Sequence, residues 1–179
     1  FGIAVGSSVF ASEKKLSSII SEEIKSENST ASFPLVIATW NVNNSTAEAW
    51  RVLQEGKSAL DAVEKGCMIE EANAEGQSVG IGGLPDRDGN VTLMHPISVA
   101  RKVMEDTPHV ILAGKGAEQF AISEGFKPVD LLTDASKKAW EEWKKTSQYK
   151  PIINIENHDT IGMLAIDKNG DISGGCTTS

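Results

Sequence analysis

From residue 34 onward, apolar and polar positions fall into recognisable periods. Leu35-Val36-Ile37-Ala38-Thr39 is a continuous apolar run closed by a hydroxyl and reads as a buried strand. Ser45-x-x-Glu48 has the spacing of a capping box, and Ala49, Val52 and Leu53 then recur at helical intervals until Gly56. A second helix begins near Ser58, with Asp61 three residues on and Leu60, Val63 and Cys67 along one face. Its acids Glu64, Glu70 and Glu71 are expected on the solvated side. Pro96 suits the first turn of a helix running to about Glu105 and ending before Pro108. Val110 to Ala113 reads as a strand, and Gly116 to Ser123 as a helix closed by Gly125, with Phe126 covering the cap. Another helix starts at Thr133 or Asp134 and carries Trp140 and Trp143 three apart, expected as core or as a surface covering a sheet. Ile161 to Ile166 is a further buried strand. It runs into Asp167-Lys168-Asn169-Gly170-Asp171, where Asn-Gly marks a hairpin, and a second strand follows with Ile172, Cys176, Thr177 and Thr178.

The first 32 residues have a different character. Phe1 to Ser12 is short, apolar and rich in small residues, ending in Val9-Phe10-Ala11. It resembles the apolar core and cleavage end of a secretory signal, so this stretch is expected to be a remnant of an exported precursor. A buried or disordered tail is the plainer alternative. Residues 12–32 are rich in Ser, Glu and Lys, which suits a linker or a frayed helix. The expected organisation is therefore 1–32 as export remnant plus linker and 33–179 as one domain.

Composition narrows the function. A net charge of −8 argues against nucleic acid and anionic membrane as partners, since both call for a basic face. No apolar run is long enough to span a bilayer. The two cysteines, Cys67 and Cys176, imply no disulfide framework, and both are expected to be buried thiols. His95, His109 and His158 share no metal-ligand spacing with a cysteine or acid cluster, so neither metal nor cofactor is implied. Gly80-x-Gly82-Gly83 lacks the lysine of a phosphate loop, and no helix follows it. It is better read as a tight backbone approach beside the active site.

The chemistry centres on Asn157-His158-Asp159-Thr160-Ile161-Gly162-Met163. Were the Asp159–Thr160 peptide cut, Thr160 would carry a free α-amine beside its own hydroxyl. That amine has a reference pKa of about 7.7–8.0 and can act as base toward Oγ near neutrality. Attack by Thr160 Oγ on the Asp159 carbonyl would make the cut through an ester that water opens. Taken alone, an Asp-Thr pair reads more simply as a loop feeding a strand.

His-Asp-Thr-Ile-Gly-Met followed by a hairpin and Cys176-Thr177-Thr178-Ser179 resembles the glycosylasparaginase (aspartylglucosaminidase) family of N-terminal-nucleophile hydrolases. Further blocks are similar and occur in the family's order. They are Ala38-Thr39-Trp40-Asn41, Ala59 to Glu64, Ser78 to Gly83 with Pro85-Asp86, and Ile97 to Val103. The resemblance covers roughly Pro34 to Ser179. It implies an α/β fold, the four-layer αββα sandwich of N-terminal-nucleophile hydrolases, here incomplete. It also implies an α-subunit region ending at Asp159 and a β-subunit region starting at Thr160. By this resemblance Thr160 is the nucleophile for self-cleavage and for amide hydrolysis. Asp159 supplies the carbonyl attacked in processing, and its carboxylate or His158 assists proton transfer. The Thr178 hydroxyl orients the nucleophile, and Trp40 shapes the substrate pocket. The substrate implied is glycoasparagine, an asparagine whose side-chain amide bears N-acetylglucosamine. The implied assembly is a homo-oligomer of processed protomers, located in a bacterial periplasm or, in a eukaryote, a lysosome.

Two departures qualify these expectations. A typical member continues after the equivalent of Val91-Thr92-Leu93 through a central strand. This chain goes directly to Met94-His95-Pro96-Ile97, so a strand of the inner sheet is expected to be absent. Such a gap would cost several kcal/mol by the measure of core truncations. The residues that grip the substrate's α-carboxylate and α-amine, and the oxyanion-hole pair, come after the Cys-Thr-Thr-Ser strand in the family. The 179 residues alone are therefore expected to be inactive or nearly so. The rival readings are the related plant-type L-asparaginase or isoaspartyl peptidase, and an unprocessed, inactive fragment.

Overall fold

The computed structural model describes residues 32–75, 79–83, 85, 88–89, 93–146 and 160–178. The chain divides into two units, Phe1–Ser32 and Phe33–Ser179, and all the described elements belong to the second. Among the described residues the elements run β1 (Leu35–Ala38), α1 (Asn43–Gln54), α2 (Ala59–Glu71), α3 (Pro96–Asp106), α4 (Gly114–Ser123), α5 (Asp134–Thr146), β2 (Ile161–Ile166) and β3 (Ile172–Thr177). The strands form one antiparallel sheet in the order β1-β2-β3, although 122 residues, 39–160, lie between the end of β1 and the start of β2. The architecture is α/β, with helices against a small antiparallel sheet.

Period-two alternation gives the sheet two different faces. Ile161, Met163 and Ala165 of β2 point toward the helices and are buried, as is Thr177 of β3. Met163 and Ala165 join Ala49, Val52 and Leu53 of α1 and Ala59, Ala62, Val63 and Cys67 of α2 in the core. Val36, Ala38 and Ile97 pack against that cluster. The opposite face stays open: Leu35, Ile37, Leu164 and Ile172 are all exposed. β1 is thus a one-sided strand, where its continuous apolar run suggested burial on both faces.

Local chemistry explains where the elements start and stop. The Ser58 hydroxyl accepts from the Asp61 backbone N–H at 3.1 Å, and the Asp61 carboxylate accepts from the Ser58 N–H at 3.3 Å, completing a capping box. Arg101 of α3 reaches Asp61 at 2.8 Å and Glu64 at 2.7 Å, tying α3 to α2. Its guanidinium holds the Asp61 carboxyl below the usual carboxylate range. In the hairpin, Asp167 Oδ1 accepts from Asn169 N–H at 2.9 Å and Asp171 N–H at 3.2 Å, while Oδ2 accepts from Ala59 N–H at 3.2 Å. Burial works to raise this carboxyl's pKa, but those three N–H donors leave it lowered. One side chain therefore shapes the β2–β3 turn and anchors it to the start of α2. Gly170, at φ +86°, supplies the left-handed residue that this turn needs.

Several expectations do not survive. Val110 to Ala113 forms no strand: Val110 is 96% exposed, and no described segment offers it a ladder partner. Ser45 caps nothing. α1 begins two residues earlier, and the buried Ser45 hydroxyl donates to Glu70 at 3.2 Å. Glu64 and Glu71 are not on a solvated face. Glu64 accepts from Ser98 at 2.6 Å and from Arg101, and Glu71 is fully buried. Cys67 is buried, and burial pushes its thiol up to about 12, but Cys176 is exposed because it lies on the open face of β3. Trp140 closes over Gly89 and carries the Lys144 ammonium 3.3 Å above its ring, whereas Trp143 is half-exposed.

Candidate active site

The site lies at the end of the sheet where β2 begins and β3 finishes. Ile161 pairs with Thr177, so extending the register by one residue sets Thr160 across from Thr178. Opposite residues of an antiparallel pair share a face, and here it is the open face, away from α1 and α2. Thr160 is half-buried and Thr178 is exposed. On the other side of β2, the chain leaves β1 through Thr39 and Trp40. The Thr39 N–H donates to the Gly162 carbonyl at 2.9 Å, and the Gly162 N–H donates back to Thr39 Oγ1 at 2.9 Å. Thr39 Oγ1 also reaches the Thr160 carbonyl at 3.4 Å.

Trp40 completes this clasp. Its backbone takes φ +63°, a left-handed conformation that costs a bulky residue about 1–3 kcal/mol. The turn directs the indole back across β2, where Nε1–H donates to the Thr160 carbonyl at 3.0 Å. Two donors from one side therefore fix the carbonyl of Thr160. Trp40 remains 55% exposed, so its ring also offers an apolar surface beside the site.

A second polar centre sits behind the strand end. Glu71, the last residue of α2, accepts at Oε1 from Thr177 Oγ1 at 2.6 Å and from the Ile97 N–H at 3.1 Å. His95 Nδ1 lies 3.2 Å from Oε2. Gly80 and Ile81 wrap the Glu71 backbone, and the Ile81 N–H donates to the Glu71 carbonyl at 2.9 Å. The glycine loop does approach backbone tightly, as expected, and the backbone it meets is that of Glu71.

Of the residues singled out from sequence, Thr160, Thr178 and Trp40 gather at one end of the sheet. His158 and Asp159 lie outside the described residues. Thr39 and Glu71 carried no expected role in the site. Thr39 was visible only as Trp40's neighbour. Glu71 had a stronger signal, because Val63, Cys67 and Glu71 recur every fourth residue and so share the buried stripe of α2. Among the described residues no group of three or more His, Cys, Asp or Glu could hold a metal ion.

A threonine opening a strand, a second hydroxyl opposite it and a tryptophan clasp on one α/β scaffold define a hydroxyl-centred site. Comparison with known proteins then places the chain. The family model described as asparaginase matches residues 18–94 and 92–179, and this chain belongs to that asparaginase family. The two matched stretches meet at 92–94, where the sequence runs directly from Leu93 to the Pro96 helix. The chain is 54% identical over 175 residues to the N(4)-(beta-N-acetylglucosaminyl)-L-asparaginase of Elizabethkingia miricola, covering 86% of this chain and 52% of that protein. It is 36% identical over 197 residues to the Rattus norvegicus protein of the same name, covering 82% and 57%. A probable isoaspartyl peptidase/L-asparaginase 3 of Arabidopsis thaliana is 29% identical over 212 residues, covering 82% and 59%. The chain thus spans little more than half the length of these relatives.

Proposed function

We propose that the whole protein is an autoprocessed amidohydrolase that releases N-acetylglucosamine-amine from the side chain of asparagine, with Thr160 as nucleophile. The observation that carries this reading is the clasp on Thr160. Thr39 and Trp40 hold its carbonyl, and the register sets Thr178 across from it. In processing, Thr160 Oγ attacks the carbonyl carbon of Asp159. The C–N bond to Thr160 breaks, the nitrogen takes a proton to become a free α-amine, and an ester joins Asp159 to Oγ. Water then opens that ester. Asp159's own carboxylate or His158 moves the protons. In turnover, the α-amine takes the Oγ proton as Oγ attacks the side-chain carbonyl of glycoasparagine, and the glycosylamine leaves. Water releases aspartate from the acyl-threonine. The hydroxyl of Thr178 orients Oγ, and the exposed ring of Trp40 forms one wall for the substrate.

The same reading includes the four-layer sandwich. Leu35, Ile37, Leu164 and Ile172 form an apolar sheet face of the kind that needs a covering layer. A second sheet on that face would enclose the side on which Thr160 and Thr178 lie.

The similarity to the Arabidopsis protein favours one alternative, hydrolysis of β-aspartyl peptides or of free asparagine. Competition separates the two. With the full-length protein, glycoasparagine is expected to be hydrolysed with a kcat/KM at least about 10-fold above that for a β-aspartyl dipeptide, on the scale of discrimination that a built pocket provides. The reverse order would assign the protein to the peptidase branch.

A further inference from the structure

A carboxylate with no solvent exposure is costly unless its oxygens are satisfied, and such groups are found where they organise something. Glu71 is fully buried, and its partners come from two other elements. Ile97 N–H, one of the orphan donors in the first turn of α3, binds Oε1, and His95, the residue preceding that helix, lies against Oε2. These two contacts amount to a helix cap, which is a structural duty. The third contact is different. Thr177 Oγ1, 4% exposed as a residue, donates to Oε1 at 2.6 Å, the shortest of the three. Thr177 lies one residue before Thr178 and pairs with Ile161, one residue after Thr160. Its side chain is on the helix face and theirs are on the open face, so the bond pins the strand end from behind.

We propose that Glu71 is a positioning residue: by holding the Thr177 hydroxyl it fixes the end of β3 and so sets the Thr178 hydroxyl against Thr160. This rests on the assignment of Thr160 as nucleophile. Nothing covalent happens at Glu71, which acts only through the backbone of residues 177 and 178. The nearest described backbone around Glu71 is tight. Gly80 lies against its carbonyl and Cα, so the carboxylate cannot retreat by moving the end of α2.

The test compares five forms of the full-length protein: wild type, Glu71→Ala, Glu71→Gln, Thr177→Val and the Glu71→Ala/Thr177→Val double variant. The glutamine amide can still accept from Thr177 and Ile97 through its oxygen and can donate to His95. The valine keeps the volume and the α3 cap and removes only the hydroxyl. Glu71→Ala and Thr177→Val are each expected to slow scission at 159–160, and kcat of the processed enzyme, by about 10–10²-fold with KM little changed, as for a misplacement on the scale of 1 Å. Glu71→Gln is expected to restore most of the loss, and the Glu71→Ala/Thr177→Val double variant to be no slower than the worse single. A role limited to capping α3 would instead lower the melting temperature of Glu71→Ala and leave Thr177→Val at wild-type rates, overturning the proposal. If the wild type neither cleaves itself nor hydrolyses substrate, the nucleophile assignment fails and amide exchange decides for Glu71. Faster exchange confined to residues 161 and 176–178 in both single variants upholds the pinning, and unchanged exchange there rejects it.

Discussion

Thr160→Ala will leave the Asp159–Thr160 peptide intact through incubations in which the wild type is fully cut. The expected loss is roughly 10⁴–10⁶-fold, the range seen when a nucleophile that works as part of a unit is removed. The effect is chemical, because the described residues hold Thr160 by its backbone. What Thr39 and Trp40 hold is its backbone carbonyl, at 3.4 and 3.0 Å, and alanine keeps that carbonyl. β2 pairs with its neighbours from Ile161 onward, so the ladder is also untouched. The urea midpoint of the variant should therefore match that of uncut wild type. Thr160→Ser keeps a hydroxyl on the same clasped backbone and should retain measurable scission. Time-resolved intact mass reads both results. Cutting of Thr160→Ala at an unchanged rate would remove Thr160 from the mechanism.

The largest expected effect on stability is at Gly80. Its φ of +61° already disfavours any side chain, by about 1–2 kcal/mol. The contacts are worse. A Cβ there would lie 2.0 Å from the Glu71 carbonyl oxygen and 2.5 Å from the Glu71 Cα, all backbone, with no flexible tip to swing aside. Relief requires moving the end of α2, which carries the carboxylate that binds Thr177 and Ile97. Gly80→Ala should therefore cost about 3 kcal/mol or more, combining left-handed strain with overpacking. It should also slow scission in whatever fraction stays folded, because the clash bears on Glu71. Gly116 is the control: it lies inside α4, a Cβ there meets nothing within 4 Å, and alanine should be neutral or stabilise by up to about 1 kcal/mol. Urea titration of the two variants gives the comparison. Equal midpoints would mean that the Gly80 loop does not sit on Glu71.

These two positions also show what could be read from the sequence. The Thr160 strand, the Asn-Gly hairpin, the Ser58 capping box and the Pro96 helix start were legible because each depends on residues within a few positions of one another. Gly80 was legible as a tight approach, but its contact was not, since the partner is nine residues away and is backbone. Ser45 had the right spacing for a cap, and a tertiary partner, Glu70, took its hydroxyl instead. Val110 to Ala113 had the composition of a strand, but a ladder also needs an adjacent edge, and composition says nothing about edges. Cys176 looked buried because its neighbours are apolar or small, yet alternation along β3 places it on the open face. Glu71 was assigned to solvent by its charge, although its spacing from Val63 and Cys67 put it on the buried stripe. At the candidate site, Thr160, Thr178 and Trp40 stood out by type and order, and the structure gathers them at one end of the sheet. The clasp that Thr39 and Trp40 place on Thr160 was not legible, because it joins segments about 120 residues apart and depends on the left-handed backbone of Trp40.

Thr160 is expected to become a chain terminus. The intact mass of the folded, full-length protein, taken under denaturing conditions with sequencing of each chain's first residues, decides this. The expected result is two chains, the second beginning at Thr160. A single uncut chain from a protein that is folded by amide exchange would contradict it.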